Sequence, residues 1–247
     1  MSMRLTILGN NGPYPSAGGA CSGYLIKEGS TNLLIDCGNG ILSNLQRFVR
    51  LEELDAVILT HLHSDHMSDM LVLKYFWQIK RNRGQIGRML KVFAPPEPVE
   101  EYKRLDVKDV FDLKPVNRDV VLDIGGMRIT FEQMTHPVVD FAVSLEAGGR
   151  RFVFSGDTSW TENIIDFAQG ANLLMLDSGL MAKDKKGNAP VPHLTAEECG
   201  IIAARANVGK LLLTHFWPEY DIKDLLDEAG ANFTNVQAAE LLKEYMI

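Results

Sequence analysis

The chain has 247 residues, of which 46% are hydrophobic and 23% charged, and its mean hydropathy is −0.04. This composition is typical of a globular protein with a sizeable core, and we expect a single domain over residues 1–247. The formal net charge of −7 argues against broad electrostatic binding to nucleic acid or to an anionic membrane, although not against a local basic site.

The cysteines and the apolar runs bear on the compartment. Cys21, Cys37 and Cys199 are odd in number and widely spaced, so they indicate no disulfide framework and favour a reducing environment. The opening residues carry an apolar run too short for a signal peptide, and no run approaches the roughly eighteen apolar residues of a membrane helix. We therefore expect a cytoplasmic protein without a membrane partner.

Short apolar runs alternate with amphipathic segments, which is the pattern of an α/β protein. Strands are predicted at residues 4–8, 24–27, 32–36, 56–60 and 90–94, near Val120, and at 128–134, 142–146, 151–154, 173–176 and 210–214. Helices are predicted at residues 41–50, 68–82, near Glu100, at 162–168 and at 195–206. The last fifteen residues are ambiguous, and their run AAELLKEYMI favours a helix by propensity.

Histidines concentrate in one short stretch. THLHSDH, residues 60–66, holds three of the six histidines of the chain, with an aspartate among them. Residues two apart in an extended segment point the same way, so His61 and His63 can face one point just past their strand. His136 and His215 each follow a threonine at another strand end. Ligand sites in α/β sheets lie beyond the carboxyl ends of strands, so these imidazoles can meet in one place.

The other polar residues near these strand ends suit a metal site. Asp65 and His66 follow where the chain turns into the next helix. They cannot easily join the tetrahedral coordination of the ion that His61 and His63 would bind, but they can bind a neighbouring ion. Asp157 ends a further strand, behind a glycine that permits close approach. Imidazole and carboxylate donors suit zinc, manganese or iron, and the absence of cysteine argues against a closed structural zinc site. Satisfied polar residues and helix caps would explain one lone histidine better than five in ordered spacing.

The whole pattern resembles the metallo-β-lactamase superfamily, and the resemblance covers most of the chain in the right order. It implies a four-layer αββα sandwich with two divalent metal ions, of which Zn²⁺ is expected first and Mn²⁺ second. Carried over residue by residue, one ion is held by His61, His63 and His136. The second is held by Asp65, His66 and His215, and Asp157 bridges both. A water shared by the two ions would then act as a hydroxide nucleophile.

The sixth histidine, His193, has two readings. Thr195 and Glu198 form a capping-box pattern for the next helix, and His193 could simply lead into it. The stretch from His193 to Glu198 also resembles a signature of the ribonuclease Z-like branch, which implies a proton donor or oxyanion stabiliser beside the metals. We favour the second reading. The catalytic candidates are thus His193, assisting the leaving group, and Asp65, orienting the hydroxide.

Two departures from ribonuclease Z guide the functional hypothesis. Asp157 follows His136 by only 21 positions, which leaves no room for the arm that grips transfer RNA in that branch. The sequence Leu176-Asp177-Ser178-Gly179 replaces its HEAT-like run. We therefore predict a phosphodiesterase acting on a small or cyclic anionic phosphodiester. A transfer RNA 3′-processing endonuclease, a lactone, thioester or sulfate-ester hydrolase, and a non-hydrolytic binding or regulatory module remain alternatives. Nucleic acid is not the favoured partner, and a homodimer is suggested by analogy only.

Two softer signals complete the pattern. Asn10 or Ser22, in or near an early glycine-rich loop, would approach the metal cleft by analogy with the superfamily, although a plain turn is the simpler reading. The stretch from Lys74 to Lys91 carries six basic residues and no acid, which could attract an anionic substrate or be a solvated helix face.

Overall fold

The computed structural model describes residues 3–185 and 191–247, and these form fourteen strands, seven α-helices and two short 3-10 helices. The strands are β1 Arg4–Gly9, β2 Gly23–Glu28, β3 Thr31–Ile35, β4 Ala56–Ile58, β5 Leu90–Ala94, β6 Phe111–Pro115, β7 Leu122–Ile124, β8 Met127–Gln133, β9 Phe141–Ala147, β10 Arg150–Phe154, β11 Leu173–Asp177, β12 Leu211–Thr214, β13 Val236–Ala238 and β14 Glu244–Met246. The helices are α1 Ile41–Leu45, α2 Ser64–Met67, α3 Met70–Asn82, α4 Val99–Leu105, α5 Glu162–Ala168, α6 Ala196–Arg205 and α7 Ile222–Gly230.

The strands form two seven-stranded mixed sheets. The first has the order β14-β1-β2-β3-β4-β5-β6, and the second has the order β13-β12-β11-β10-β9-β8-β7. From β3 to β6 the neighbouring strands are parallel, and so are those from β10 to β13. Each sheet therefore has a set of carboxyl strand ends at one edge, where a ligand site is expected.

The alternation of side chains along the strands builds the layers. In β3, Leu33 and Ile35 enter the core between the two sheets, whereas Leu34 faces the helices on the other side. In β11, Leu173 and Met175 face the same central core, whereas Leu174 faces the opposite helical layer. Both faces of each sheet are therefore buried, which explains why these strands are continuous apolar runs.

The helices cover the two outer faces. The first sheet packs on α1 and α3, through residues such as Ile41 and the fully buried Trp77. The second sheet packs on α5, α6 and α7, through residues such as Ile164, Ile202 and Leu225. The predicted four-layer αββα sandwich is confirmed.

The carboxyl-terminal helix prediction was wrong. The last residues instead form β13, which pairs with β12 in the second sheet, and β14, which pairs with β1 in the first. Tyr245 and Ile247 are buried in the central core, and the Tyr245 hydroxyl donates to the carbonyl of Ala238. Pairing with two open sheet edges outweighs the modest helix propensity of this run.

Smaller differences concern element bounds. The strand predicted near Val120 begins at Leu122, and the helix predicted over residues 41–50 ends at Leu45. The strand β6 and the helix α7 had no sequence prediction. Among the described residues no helix combines the length and the apolarity needed to span a bilayer.

Candidate metal centre

The first donor group consists of three imidazoles at the ends of β4 and β8. His61 Nε2 and His136 Nε2 each lie 3.1 Å from His63 Nδ1. Each residue offers one nitrogen to a common point, so the three can hold one metal ion. The extended backbone of His63, with φ −69° and ψ 152°, lets His61 and His63 reach the same point, as the sequence predicted.

The second donor group combines two carboxylates with two imidazoles. His215 Nε2 lies 3.2 Å from Asp65 Oδ2 and 3.3 Å from Asp157 Oδ2. His66 Nε2 lies 3.3 Å from Asp157 Oδ1. Asp65 and His66 belong to α2, whereas Asp157 follows β10 and His215 follows β12. The four side chains can hold a metal ion between the two sheets.

Asp157 lies between the two groups. Its Oδ2 is 3.8 Å from His61 Nε2 in the first group, and both of its oxygens face imidazoles of the second. All seven residues predicted as metal donors are thus brought together, and Asp157 has the position of a shared donor.

Two carboxylates that the sequence analysis missed orient these histidines from behind. Asp140 Oδ2 lies 2.7 Å from His61 Nδ1, and Asp36 Oδ2 lies 2.8 Å from His66 Nδ1. Both aspartates are fully buried, and Asp36 also accepts from the backbone and hydroxyl of Thr60. A bond at Nδ1 fixes the ring and leaves Nε2 for the metal side. Asp36 is the last residue of the strand predicted over residues 32–36, and that strand-end position was the available signal.

Asp177 was also missed, and it serves two histidines. Its Oδ2 lies 2.8 Å from His193 Nδ1, and its Oδ1 lies 3.3 Å from His215 Nδ1. Asp177, His193, Asp157 and His215 could together be read as a third donor group. Because Asp177 already bonds His193 and lies behind His215, we assign it as a positioning residue. His136 is oriented in the same way, by the carbonyl of Pro192 at 3.1 Å from Nδ1.

The backbone at His215 is held in an uncommon conformation. Its φ is 59°, in the left-handed region that costs energy for a residue other than glycine. The neighbouring loop packs directly on the ring, since a Cβ at Gly12 would overlap the His215 imidazole. Gly12 donates its backbone N–H to the carbonyl of Phe216, which fixes this approach.

Buried atoms in the donor set lack partners, which tests whether a cation fits. His66 Nε2 and Asp157 Oδ1 lie 3.3 Å apart, yet both are buried and neither has a hydrogen-bond partner in residues 3–185 and 191–247. A buried polar atom without a partner is costly. A divalent cation would satisfy both atoms at once, so the residues fit such an ion.

The histidines differ in their protonation. Burial, together with the nearby His66, lowers the pKa of His61 to about 3, so its ring is neutral. Burial alone would also lower the pKa of His66, but the carboxylates of Asp157 and Asp36 outweigh it and raise that pKa well above its usual value. The pKa of His215 is raised for the same reason by Asp157 and Asp177.

Metal binding should therefore release protons. With raised pKa values, His66 and His215 are protonated at neutral pH before a cation binds, and each must lose a proton to donate a lone pair. We expect about two protons released per chain at pH 7, and an affinity that falls as the pH falls. Calorimetric zinc titrations in two non-coordinating buffers of different protonation enthalpy measure this number. Equal heats in both buffers would contradict it.

A cavity of about 360 Å³ opens over the donors and gives a substrate access to them. Its walls include Pro13, His63, Asp65, Asp157 and His193. His193 is 20% exposed, so it reaches the cavity while Asp177 holds it from behind. The capping box of Thr195 and Glu198 is also formed, so the two readings of this stretch are compatible.

Asn10, Ser22 and the basic stretch, all considered in the sequence analysis, do not line the metal cleft. Asn10 donates to the carbonyl of Ala239, and Ser22 is fully buried, so neither is among the residues that line this cavity. Arg81 of the basic stretch borders a different cavity, with Lys108 and Asp109.

The fold and the site define a class of protein: metal-binding histidine and aspartate clusters, framed by orienting carboxylates, at the strand ends of an αββα sandwich. Residues 31–216 match the model of the β-lactamase superfamily domain. The chain belongs to the metallo-β-lactamase superfamily, a superfamily of hydrolytic metalloenzymes.

Individual relatives agree with this assignment. The chain is 34% identical to the probable metallo-hydrolase YhfI of Bacillus subtilis over 233 residues, which cover 94% of each chain. A crystal structure of YhfI superposes with a TM-score of 0.95 over the whole of both chains, at 32% identity. A ribonuclease Z of Brevibacillus brevis is 25% identical over 304 residues, which cover 96% of this chain and 95% of that protein. A diphosphatase of the PhnP family shares the fold, with a TM-score of 0.74, 15% identity and coverage of 99% and 98%.

Proposed function

We propose that this metallo-hydrolase is a phosphodiesterase that holds two divalent cations and cleaves a small or cyclic phosphodiester. The observation that carries the proposal is His193, which Asp177 holds at the edge of the metal cleft. A lone metal centre is compatible with many hydrolyses, whereas an imidazole beside it suits a reaction whose leaving alkoxide needs a proton.

The donor groups divide between the two ions. His61, His63 and His136 would hold one ion, and Zn²⁺ suits this nitrogen set better than Mn²⁺. Asp65, His66 and His215 would hold the other, with Asp157 shared. When bound, such a pair supplies an activated water and neutralises charge on the phosphoryl oxygens.

The residues of the chain orient and protonate the substrate. Burial tends to lower the pKa of His193, but Asp177 and then Asp157 outweigh it, so that pKa is raised. His193 therefore holds a proton more readily than a free imidazole does. Its Nδ1 donates to Asp177, which leaves Nε2 to donate to the departing oxygen. Asp65 lines the cleft among the donors and would orient the attacking water.

Cleavage of precursor transfer RNA is the second candidate, and the similarity to a ribonuclease Z supports it. The structure between His136 and Asp157 speaks against it. That segment contains only β9, β10 and the tight turn at Gly148 and Gly149, so it has no protruding arm for an RNA partner. The chain's net charge of −7 also disfavours a polyanion.

Turnover of bis-p-nitrophenyl phosphate tests the proposal. Protein reloaded with zinc or manganese should release p-nitrophenol, and His61→Ala should lose this turnover together with its metal. Asp166→Asn is the matched control, because Asp166 is exposed on α5 and should leave turnover unchanged. No turnover by the metal-loaded protein would reject phosphodiester hydrolysis in favour of a carboxylic, thioester or sulfate ester.

A further inference from the structure

We infer that a second cavity beside the metal cleft binds a planar aromatic ring carried by one ester substituent of the substrate. This inference rests on the proposed phosphodiesterase function and names the class of diester that the site selects. The cavity has a volume of about 290 Å³. Because a cavity of roughly 150 Å³ accommodates benzene, this one has room for one or two fused rings.

The lining of the side cavity is mainly apolar. Pro13 and Tyr14 come from the loop after β1, Leu180 from the loop after β11, and Trp217 from the segment after β12. Tyr14 is 44% exposed, so much of its ring surface is in contact with water. A flat apolar group could pack against Tyr14 and Trp217 and remove their faces from water.

Hydrogen bonds hold the two aromatic rings in place. Trp217 Nε1 donates to the Tyr14 hydroxyl at 3.0 Å, and that hydroxyl can donate to Glu219 Oε1 at 3.2 Å. The Trp217 ring also contacts Tyr220 edge-on, with centroids 5.2 Å apart. Rings fixed before binding lose little conformational entropy when a ligand packs on them, so this wall is organised for recognition.

The backbone on both sides of the wall is tied to the metal centre. Asn11 pairs with Phe216, and the N–H of Phe216 donates to the carbonyl of Asn10. Gly12 lies against the His215 ring, so the loop cannot shift without disturbing that donor. The side cavity therefore keeps a constant position relative to the second donor group.

His193 separates the two cavities. It lines both the metal cleft and the side cavity, and Pro13 is the other residue that they share. An ester oxygen beside His193 would have its phosphorus in the cleft and its carbon substituent in the side cavity. His193 would thus contact the oxygen of the ester bond, while the aromatic wall would bind the carbon substituent attached to that oxygen.

The charge at the rim limits what the substituent can be. Glu219 is exposed at the hydroxyl of Tyr14. Its carboxylate would repel a second phosphate on the same substituent. The geometry therefore favours a neutral planar ring over a longer polyanionic chain.

The binding of phosphate monoesters tests this inference, because each has a single substituent. We would measure by calorimetry the dissociation constants of phenyl phosphate and methyl phosphate for the zinc-loaded protein. We expect phenyl phosphate to bind about tenfold more tightly. The variant Trp217→Ala should reduce this ratio towards one, whereas Trp217→Phe should retain most of it. Tyr75→Ala is the control, since it removes an exposed ring of α3 that lines neither cavity.

The outcomes separate the inference from the function on which it rests. Equal binding of both monoesters to the unmodified protein would overturn the ring site but not the proposed phosphodiester hydrolysis. A preference for phenyl phosphate that persists in Trp217→Ala would have the same meaning. Binding of neither monoester would contradict the proposed function, and the inference with it. Adenosine 5′-monophosphate distinguishes two sources of the ring: tighter binding than phenyl phosphate indicates a ring joined through a sugar, and weaker binding indicates a ring on the ester oxygen.

Discussion

Asp157→Asn is expected to lower phosphodiester turnover by about a thousandfold or more and to reduce metal binding at both donor groups. The carboxylate of Asp157 lies between His61 of the first group and His66 and His215 of the second. An amide has the same shape but carries no charge, and one of its ends cannot donate a lone pair to a metal. The substitution should therefore weaken both sites without changing the volume of the side chain.

Metal content and turnover should be measured on the same preparation of Asp157→Asn. The control Asp166→Asn makes the same chemical change at an exposed position of α5 and should match the unmodified protein. Loss of ions from only one group would restrict Asp157 to that group. A variant that keeps its full metal content and turnover would contradict its position as a shared donor.

His193→Ala is expected to lower turnover by about 10²- to 10⁴-fold while metal content stays the same. The size of the loss should depend on the leaving group. p-Nitrophenolate departs without a proton, so its release should suffer less than release of an aliphatic alcohol. If His193 acted only by attracting the anionic phosphate, both leaving groups would lose the same factor.

The measurement compares kcat for an aryl diester and for an alkyl diester in the unmodified protein and in His193→Ala. Asp177→Asn is the companion variant, because it removes the positioning carboxylate but keeps the imidazole. We expect an intermediate loss and a pH profile shifted to lower pH, since Asp177 holds the His193 pKa up. Unchanged turnover of the alkyl diester in His193→Ala would reject the proton-donor role.

The metal donors could be predicted from the sequence, whereas the carboxylates that orient them could not. His61, His63 and His66 are two or three residues apart in one stretch, so local geometry alone predicts that they share a corner. His136, Asp157 and His215 each follow a readable strand, and sheet topology then brings them together. Asp36, Asp140 and Asp177 contact histidines that lie 16 or more positions away along the chain. No local periodicity connects such pairs, so only the folded structure identifies them.

Dependence on contacts that are distant along the chain also explains why the carboxyl-terminal strands and the aromatic wall were not predicted. The run from Ala238 to Ile247 has good helix formers, but its structure depends on two open sheet edges. One edge is β1, more than 200 residues earlier in the chain, and the other is β12. The ring wall depends on Tyr14 meeting Trp217 across 203 residues. Neither residue has a motif around it, and each reads on its own as an ordinary aromatic residue.

The number of ions bound per chain tests the central claim most directly. The metal-free protein would be titrated with Zn²⁺ by calorimetry, and the metal retained after desalting would be counted by mass spectrometry. The account predicts two ions per chain, one for the three-histidine group and one for the group that contains Asp65, His66 and His215. A stoichiometry of one ion or none at saturation would contradict the two-ion centre and the hydrolytic role proposed for it.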